Sequence, residues 1–176
     1  IGGAYACALT PERRVLCWGD TSNGRLGPGL PPSLPRPALL PDVQDVVELP
    51  GREDGLWLRT AQGNLLRRGK AQRKGDVPER SAVPAETEQV VIGDDFWCAR
   101  LRDGGVACRA RGEVFSVMRD YALELAATHD KVCAVLRMGA VACVEPLQVH
   151  ERRAQLRREE ASRCAREQAA RAKDLV

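Results

Sequence analysis

The sequence predicts a mainly β chain of about four degenerate hairpin repeats followed by a C-terminal α-helix. Three observations carry this. Cysteines recur in pairs ten residues apart, a glycine recurs at one place in three of the four copies, and the last thirty residues change to a helix-forming composition. With 176 residues, 44% hydrophobic and 29% charged, the chain is long enough and apolar enough to bury a core. Aromatic residues are only 4%, so that core must be built mainly from Val, Leu, Ala and Cys.

The repeat is read first, because its period sets the architecture. Cys7 and Cys17, Cys98 and Cys108, and Cys133 and Cys143 share one spacing. The stretch Cys98-Ala99-Arg100-Leu101-Arg102-Asp103-Gly104-Gly105-Val106-Ala107-Cys108 matches Cys133-Ala134-Val135-Leu136-Arg137-Met138-Gly139-Ala140-Val141-Ala142-Cys143 at most informative positions. The first copy keeps its ends, Cys7-Ala8-Leu9 and Val15-Leu16-Cys17. Another copy, Trp57 to Arg67, has lost both cysteines.

If 98 faces 108 in an antiparallel hairpin, a three-residue loop remains, Arg102-Asp103-Gly104. Such loops favour glycine in their third, left-handed position. Gly63, Gly104 and Gly139 hold that position, whereas the first copy has Pro11-Glu12-Arg13 and calls for a different or strained turn. The hairpins are placed near 5–18, 56–68, 97–109 and 132–144.

Directly opposed cysteines in a narrow antiparallel pair lie about 4.5 Å apart at Cα, within reach of a disulfide. The expected bonds are Cys7–Cys17, Cys98–Cys108 and Cys133–Cys143. Buried thiols are the alternative. Zinc normally uses ligands two to four residues apart, which this spacing lacks, so no metal is expected. Three disulfides imply an extracellular, cell-surface or periplasmic setting.

After the first hairpin comes Cys17-Trp18-Gly19-Asp20-Thr21-Ser22-Asn23-Gly24-Arg25-Leu26-Gly27-Pro28-Gly29. Trp18, Gly19, Asn23, Gly24, Leu26 and Gly27 resemble the W-G-x-N-x-x-G-Q-L-G signature of the regulator-of-chromosome-condensation repeat. With Cys7-Ala8-Leu9 before it, the copy looks like the cysteine-bearing bacterial form. The resemblance spans residues 1–145 and is strongest at 7–29. It implies four-stranded blades of a β-propeller, glycines at tight turns and Leu26 packed between blades. Val46-Val47, Val90-Val91-Ile92-Gly93 and Leu123 to Ala127 precede three hairpins as the family's innermost strand would. Family members are usually seven-bladed. Equivalent positions here are 50, 41 and 35 residues apart, and the shrinking units favour an open arc or a partial propeller. An arc exposes sheet faces and edges that a further chain or subunit would cover.

Residues 28–50 hold seven of the eleven prolines and read as the loop between blades, with a polyproline ligand as the sharper alternative. From Gln148 to Lys173 there is neither Gly nor Pro, and Glu159 with Arg163 and Glu167 with Arg171 make favourable i,i+4 pairs. Residues 146–176 are therefore expected as a charged helix, its N-terminal half docked on the last blade. A basic helix reads as a contact for a partner, an acidic surface or lipid headgroups, but interleaved acids favour a solvated face. Cys164, the unpaired seventh cysteine, suggests an intermolecular bond, a reactive thiol or a small helix-face residue.

No apolar run is long enough for a membrane span. The net charge of +3 lies in the tail, with eight basic and five acidic residues from Pro146 onward, so a basic nucleic-acid surface is not expected. His129 and His150 stand alone, and Asp94-Asp95 and Glu159-Glu160 are adjacent acids that do not converge on one site. No nucleophile signature, phosphate loop or two-histidine metal spacing occurs, so neither enzyme activity nor a cofactor is expected. What remains is a non-catalytic, exported protein-interaction module, binding a protein partner through propeller loops or an open blade edge. A structural or accessory subunit of a cell-surface assembly, docking through the C-terminal helix, is the alternative. A hydrolase is a distant third.

Overall fold

The computed structural model describes residues 5–22, 24, 26, 27, 29–51, 55–69, 80–119 and 121–173, with side chains as far as Arg166. Among these described residues, fourteen strands lie in four small antiparallel sheets, followed by one helix. The mainly β repeat architecture expected from the sequence is present, as four successive blades.

The first blade comprises β1 (Tyr5–Leu9), β2 (Val15–Asp20) and β3 (Ser33–Leu39). The second runs β4 (Val46–Glu48), β5 (Leu56–Thr60), β6 (Asn64–Arg68) and β7 (Arg80–Ala82). The third is β8 (Thr87–Ile92), β9 (Phe96–Leu101), β10 (Val106–Ala110) and β11 (Glu113–Met118). The fourth is β12 (Ala122–Ala127), β13 (Val132–Leu136) and β14 (Val141–Val144), after which the chain enters α1 (Pro146–Lys173). Within each blade the strands are paired in sequence order.

Aligned on the hairpins, blade 1 has no strand inside β1 among the described residues, and blade 4 has none outside β14. The proline-rich 28–50 segment is not all loop. β3 pairs with β2 while carrying Pro35 and Pro37, which an outermost strand tolerates because one side of its ladder faces solvent.

Blades stack by one rule. The face carrying the hairpin cysteines packs on the opposite face of the next blade. Cys17, Val15 and Leu26 of the first repeat meet Val46, Leu56 and Leu58. Trp57 and Leu65 meet Val90, Trp97 and Ala99. Cys98, Val106 and Cys108 meet Leu125, Val132 and Ala134. Alternation along each strand supplies one residue set to each seam, and burying each set removes apolar area from water at roughly 25 cal/mol per Å².

The N-terminal half of the helix lies mainly against β10 and β11 of the third blade, and its first turns, through Leu147 and Val149, also pack on the core shared by the third and fourth blades. Phe115 on β11 receives His150 and Arg153, Glu113 receives Arg157, and Arg111 pairs with Glu151 at 2.9 Å. These partners all sit on or beside β11, and that decides the docking.

Candidate functional site

Every hairpin is closed by the same turn. The third loop residue has positive φ in all four copies: 59° at Arg13, 77° at Gly63, 85° at Gly104 and 80° at Gly139. Its N–H donates to the carbonyl three residues back, as in Gly104 to Leu101 at 2.9 Å. The first copy therefore keeps the common turn and places an arginine in it. The turn also ties blades together, because its carbonyl accepts an N–H from the next unit: Val46 to Arg13, Val83 to Gly63 and Ala122 to Gly104, at 2.8–3.0 Å.

The three cysteine pairs are disulfides, with Cα atoms 4.0–4.1 Å apart. In blade 2 the equivalent opposed pair is Trp57 and Arg67, with the guanidinium over the indole ring. A packed cation–π pair thus occupies the place of the staple.

Of the first repeat's signature, Trp18 is half-buried on β2, and Gly19, at φ 106°, pairs with Tyr5. Gly24 donates to Thr21 and accepts from Gly27, forming a compact double turn. Asn23 lies outside the described residues. Leu26 is fully buried in the seam between blades 1 and 2. Gly27, at φ 97°, lies under the guanidinium of Arg68, and a Cβ there would come within 3.0 Å of it. Arg68 in turn donates to the carbonyls of Leu26 and Pro41, locking blade 2 to the first repeat.

A second set of residues was overlooked in the sequence. Glu48 accepts the Val90 N–H at 2.9 Å, while Arg59 holds its other oxygen at 2.7 Å. Gln89 accepts the Leu125 N–H at 2.8 Å and donates back to the Leu125 carbonyl at 3.0 Å. Each thus satisfies the inner edge of the following blade, where a backbone group would otherwise be left unpaired. Glu48 and Gln89 stand nine residues before Trp57 and Cys98, and Glu124 stands nine before Cys133. That common offset was the available signal.

Blade 4 presents the cysteine-bearing kind of face with no blade on it. Cys98 and Cys108 are 0% exposed and Val106 1%, whereas Val141 is 66% exposed, Val135 39% and Leu123 51%. Cys143 is exposed and Cys133 half-buried on the same face. Glu124 opens onto it and makes no hydrogen bond among the described residues. Beside the face, an open groove between β14 and the first turns of α1 is lined by Lys131, Val144, Gln148 and Arg152.

Elsewhere the arrangement is structural. His129 is exposed, and its carbonyl accepts the Asp94 N–H. His150 is packed on Phe115 beside Glu113. The Arg157 hydrogen bond and charge hold the Glu113 carboxyl below its usual range, with His150 adding to the effect. Cys164 is exposed on the helix. Among the described residues no group of three His, Cys, Asp or Glu side chains is placed to hold a metal ion, and no helix is long and apolar enough to cross a membrane.

Several solved structures are similar to this one. Yeast RCC1 (Prp20), in its crystal structure bound to Kap60, superposes with a TM-score of 0.62 at 16% identity, over 82% of this chain and 42% of that one. The fold is that of an RCC1-like propeller. Human WBSCR16 matches at 0.57 and 14% identity, over 82% of this chain and 46% of its own. The CRINKLY WD40 ectodomain of the Arabidopsis thaliana receptor kinase ACR4 matches at 0.51 and 21%, over 83% and 48%. The chain spans less than half the length of each of these structures. No family model and no curated protein matches the sequence.

Proposed function

We propose that this chain is a non-catalytic, exported protein-interaction module that binds its partner through the uncovered face of blade 4. The observation that supports this most directly is that Val135, Val141 and Leu123 lie exposed on a face whose counterpart in blade 3 is buried. An apolar sheet face left in water is an unmet driving force for association. Residues 1–145 form the binding body in this reading, and the N-terminal half of α1 in the segment 146–176 straps its third blade. The three disulfides support a setting outside the reducing cytosol. Yeast RCC1 in its Kap60-bound structure supports the general idea that this fold can serve protein binding. Docking through the helix is the weaker reading, because Glu151 and Arg157 are already engaged by the chain's own Arg111 and Glu113.

The test is capture from a secreted or periplasmic extract of the source organism on immobilised full chain, comparing the natural sequence with Val135→Lys/Val141→Lys. Retention should fall more than tenfold, equivalent to about 1.4 kcal/mol or more. Equal retention by the two proteins would contradict the reading.

A further inference from the structure

The middle of α1 is held on blade 3 by a small set of side chains that meet one place on the blade. His150 and Arg153 pack on the Phe115 ring, Arg157 reaches the Glu113 carboxylate at 2.8 Å, and Glu151 pairs with Arg111 at 2.9 Å. His150, Arg153 and Arg157 follow the i, i+3, i+7 spacing of one helix face. Glu113 and Phe115 are two apart on β11 and so share a face of the sheet. Arg111 reaches the helix from the two-residue turn Arg111-Gly112 between β10 and β11, where φ is 48° and 89°. Asparagine and glycine are the usual occupants of such a turn. An arginine is therefore held in an unfavourable conformation at the point where it meets Glu151.

The contact is weakly closed. Arg111 is 61% exposed and Glu151 57%, while Arg157 is 60% and Glu113 54%. Ion pairs this exposed contribute little and are screened by salt. Leu147 and Val149, which pack on the core, lie in the first turns of the helix. β14 ends at Val144 and α1 begins at Pro146, so Glu145 alone joins them, and the helix is free to swing about that point once the pairs part.

We propose that Phe115, Glu113 and Arg111 form a helix-docking site on blade 3, which α1 occupies in cis and which a helix of a partner protein takes over by displacing it. The present occupant sets the chemistry of the partner. Its helix carries two cations four residues apart, the first to cover Phe115 and the second to reach Glu113, with an acid two residues before the first to meet Arg111. This goes beyond the blade 4 reading, because it names a different surface. A partner binds only the fraction of molecules whose strap is open, so the strap lowers its apparent affinity by that fraction.

The experiment is fluorescence anisotropy of a labelled peptide with the sequence of residues 146–161. It is stapled into a helix through positions 155 and 159, whose exposed side chains bond to each other in the chain. The peptide is titrated with the oxidised full chain and with a strap variant, Glu151→Arg/Arg153→Glu/Arg157→Glu, which leaves blade 3 unaltered. Faster hydrogen exchange over residues 150–157 reports that the strap has opened. The opened chain should bind the peptide at least about tenfold more tightly than the natural chain. In the opened chain, Glu113→Lys and Arg111→Asn should each weaken binding. Asparagine suits the turn, so an unchanged urea midpoint for Arg111→Asn separates loss of the site from loss of the fold. Val135→Lys/Val141→Lys should leave peptide binding as it was.

Equal binding by the natural and opened chains overturns the proposal, as does an opened chain that takes no peptide or takes it regardless of residues 111 and 113. A strap variant whose helix keeps its protection overturns the closure by ion pairs on which the proposal stands. The two readings fail separately. Peptide binding that needs Val135 and Val141 puts the helix on blade 4 and removes the blade 3 site, whereas capture that ignores Val135 and Val141 removes the blade 4 reading and leaves the peptide result standing.

Discussion

Replacing Arg13 by glycine should stabilise the protein, although it removes a whole charged side chain. Arg13 has φ 59° in a turn position that glycine holds in the other three repeats. Its side chain is exposed, while its N–H and carbonyl make the same bonds as Gly104: Arg13 to Thr10 at 3.0 Å, and Val46 to Arg13 at 3.0 Å. Arg13→Gly keeps both bonds. A left-handed conformation costs an L-residue about 1–2 kcal/mol, and the greater freedom of glycine in the unfolded chain returns about 0.5–1 kcal/mol of that. The net expectation is a gain of about 0.5–1 kcal/mol. Urea denaturation with disulfides intact should show a higher midpoint at unchanged slope. The opposite control is Gly104→Ala, where φ is 85° and the new Cβ would lie 2.8 Å from the Tyr121 Cα. It should lose about 2–4 kcal/mol. An Arg13→Gly midpoint that falls or does not move would refute the claim that all four hairpins share one turn.

Partial reduction of the native protein should open Cys133–Cys143 first and Cys98–Cys108 last, since Cys143 is exposed and both members of the latter pair are buried, and alkylation followed by peptide mass analysis gives the order. Trp57→Ala should cost about 3–5 kcal/mol in urea denaturation, because Trp57 is buried at the seam of blades 2 and 3 and takes the place of a disulfide pair. Helix docking should weaken in acid. The Glu113 pKa is lowered in the folded chain by Arg157 first and His150 second, so its contribution is complete above the unfolded value of about 4.3 and is lost as pH falls through the folded value. A carboxyl NMR titration should place Glu113 below the ordinary range, and Arg157→Ala should return it there.

The repeat was legible because its constraints are local. A ten-residue spacing fixes a hairpin, and glycine marks a left-handed turn residue in three copies. Of the two expectations for the first copy, a different turn or a strained one, Arg13 at φ 59° fits the second, with backbone bonds to Thr10 and Val46 holding an arginine in the common turn. The prolines of β3 hid a strand, because an outermost position lifts the usual penalty. The place of α1 depended on Phe115, Glu113 and Arg111, which come together only once β11 is formed. Trp57 with Arg67 was unreadable as a substitute for a disulfide without its cross-strand register. The position shared by Glu48, Gln89 and Glu124 was present as a constant offset. It gained meaning only when Glu48 and Gln89 were seen to hydrogen-bond to the inner strand of the following blade.

The central claim, that blade 4 carries the binding face, is tested most directly by hydrogen exchange on the full chain, alone at low concentration and again in its isolated complex. The account predicts new protection in Ala122–Ala127, Val132–Leu136 and Val141–Val144, with little change in β4 to β7. Protection confined to α1, or absent from the fourth blade, would contradict it.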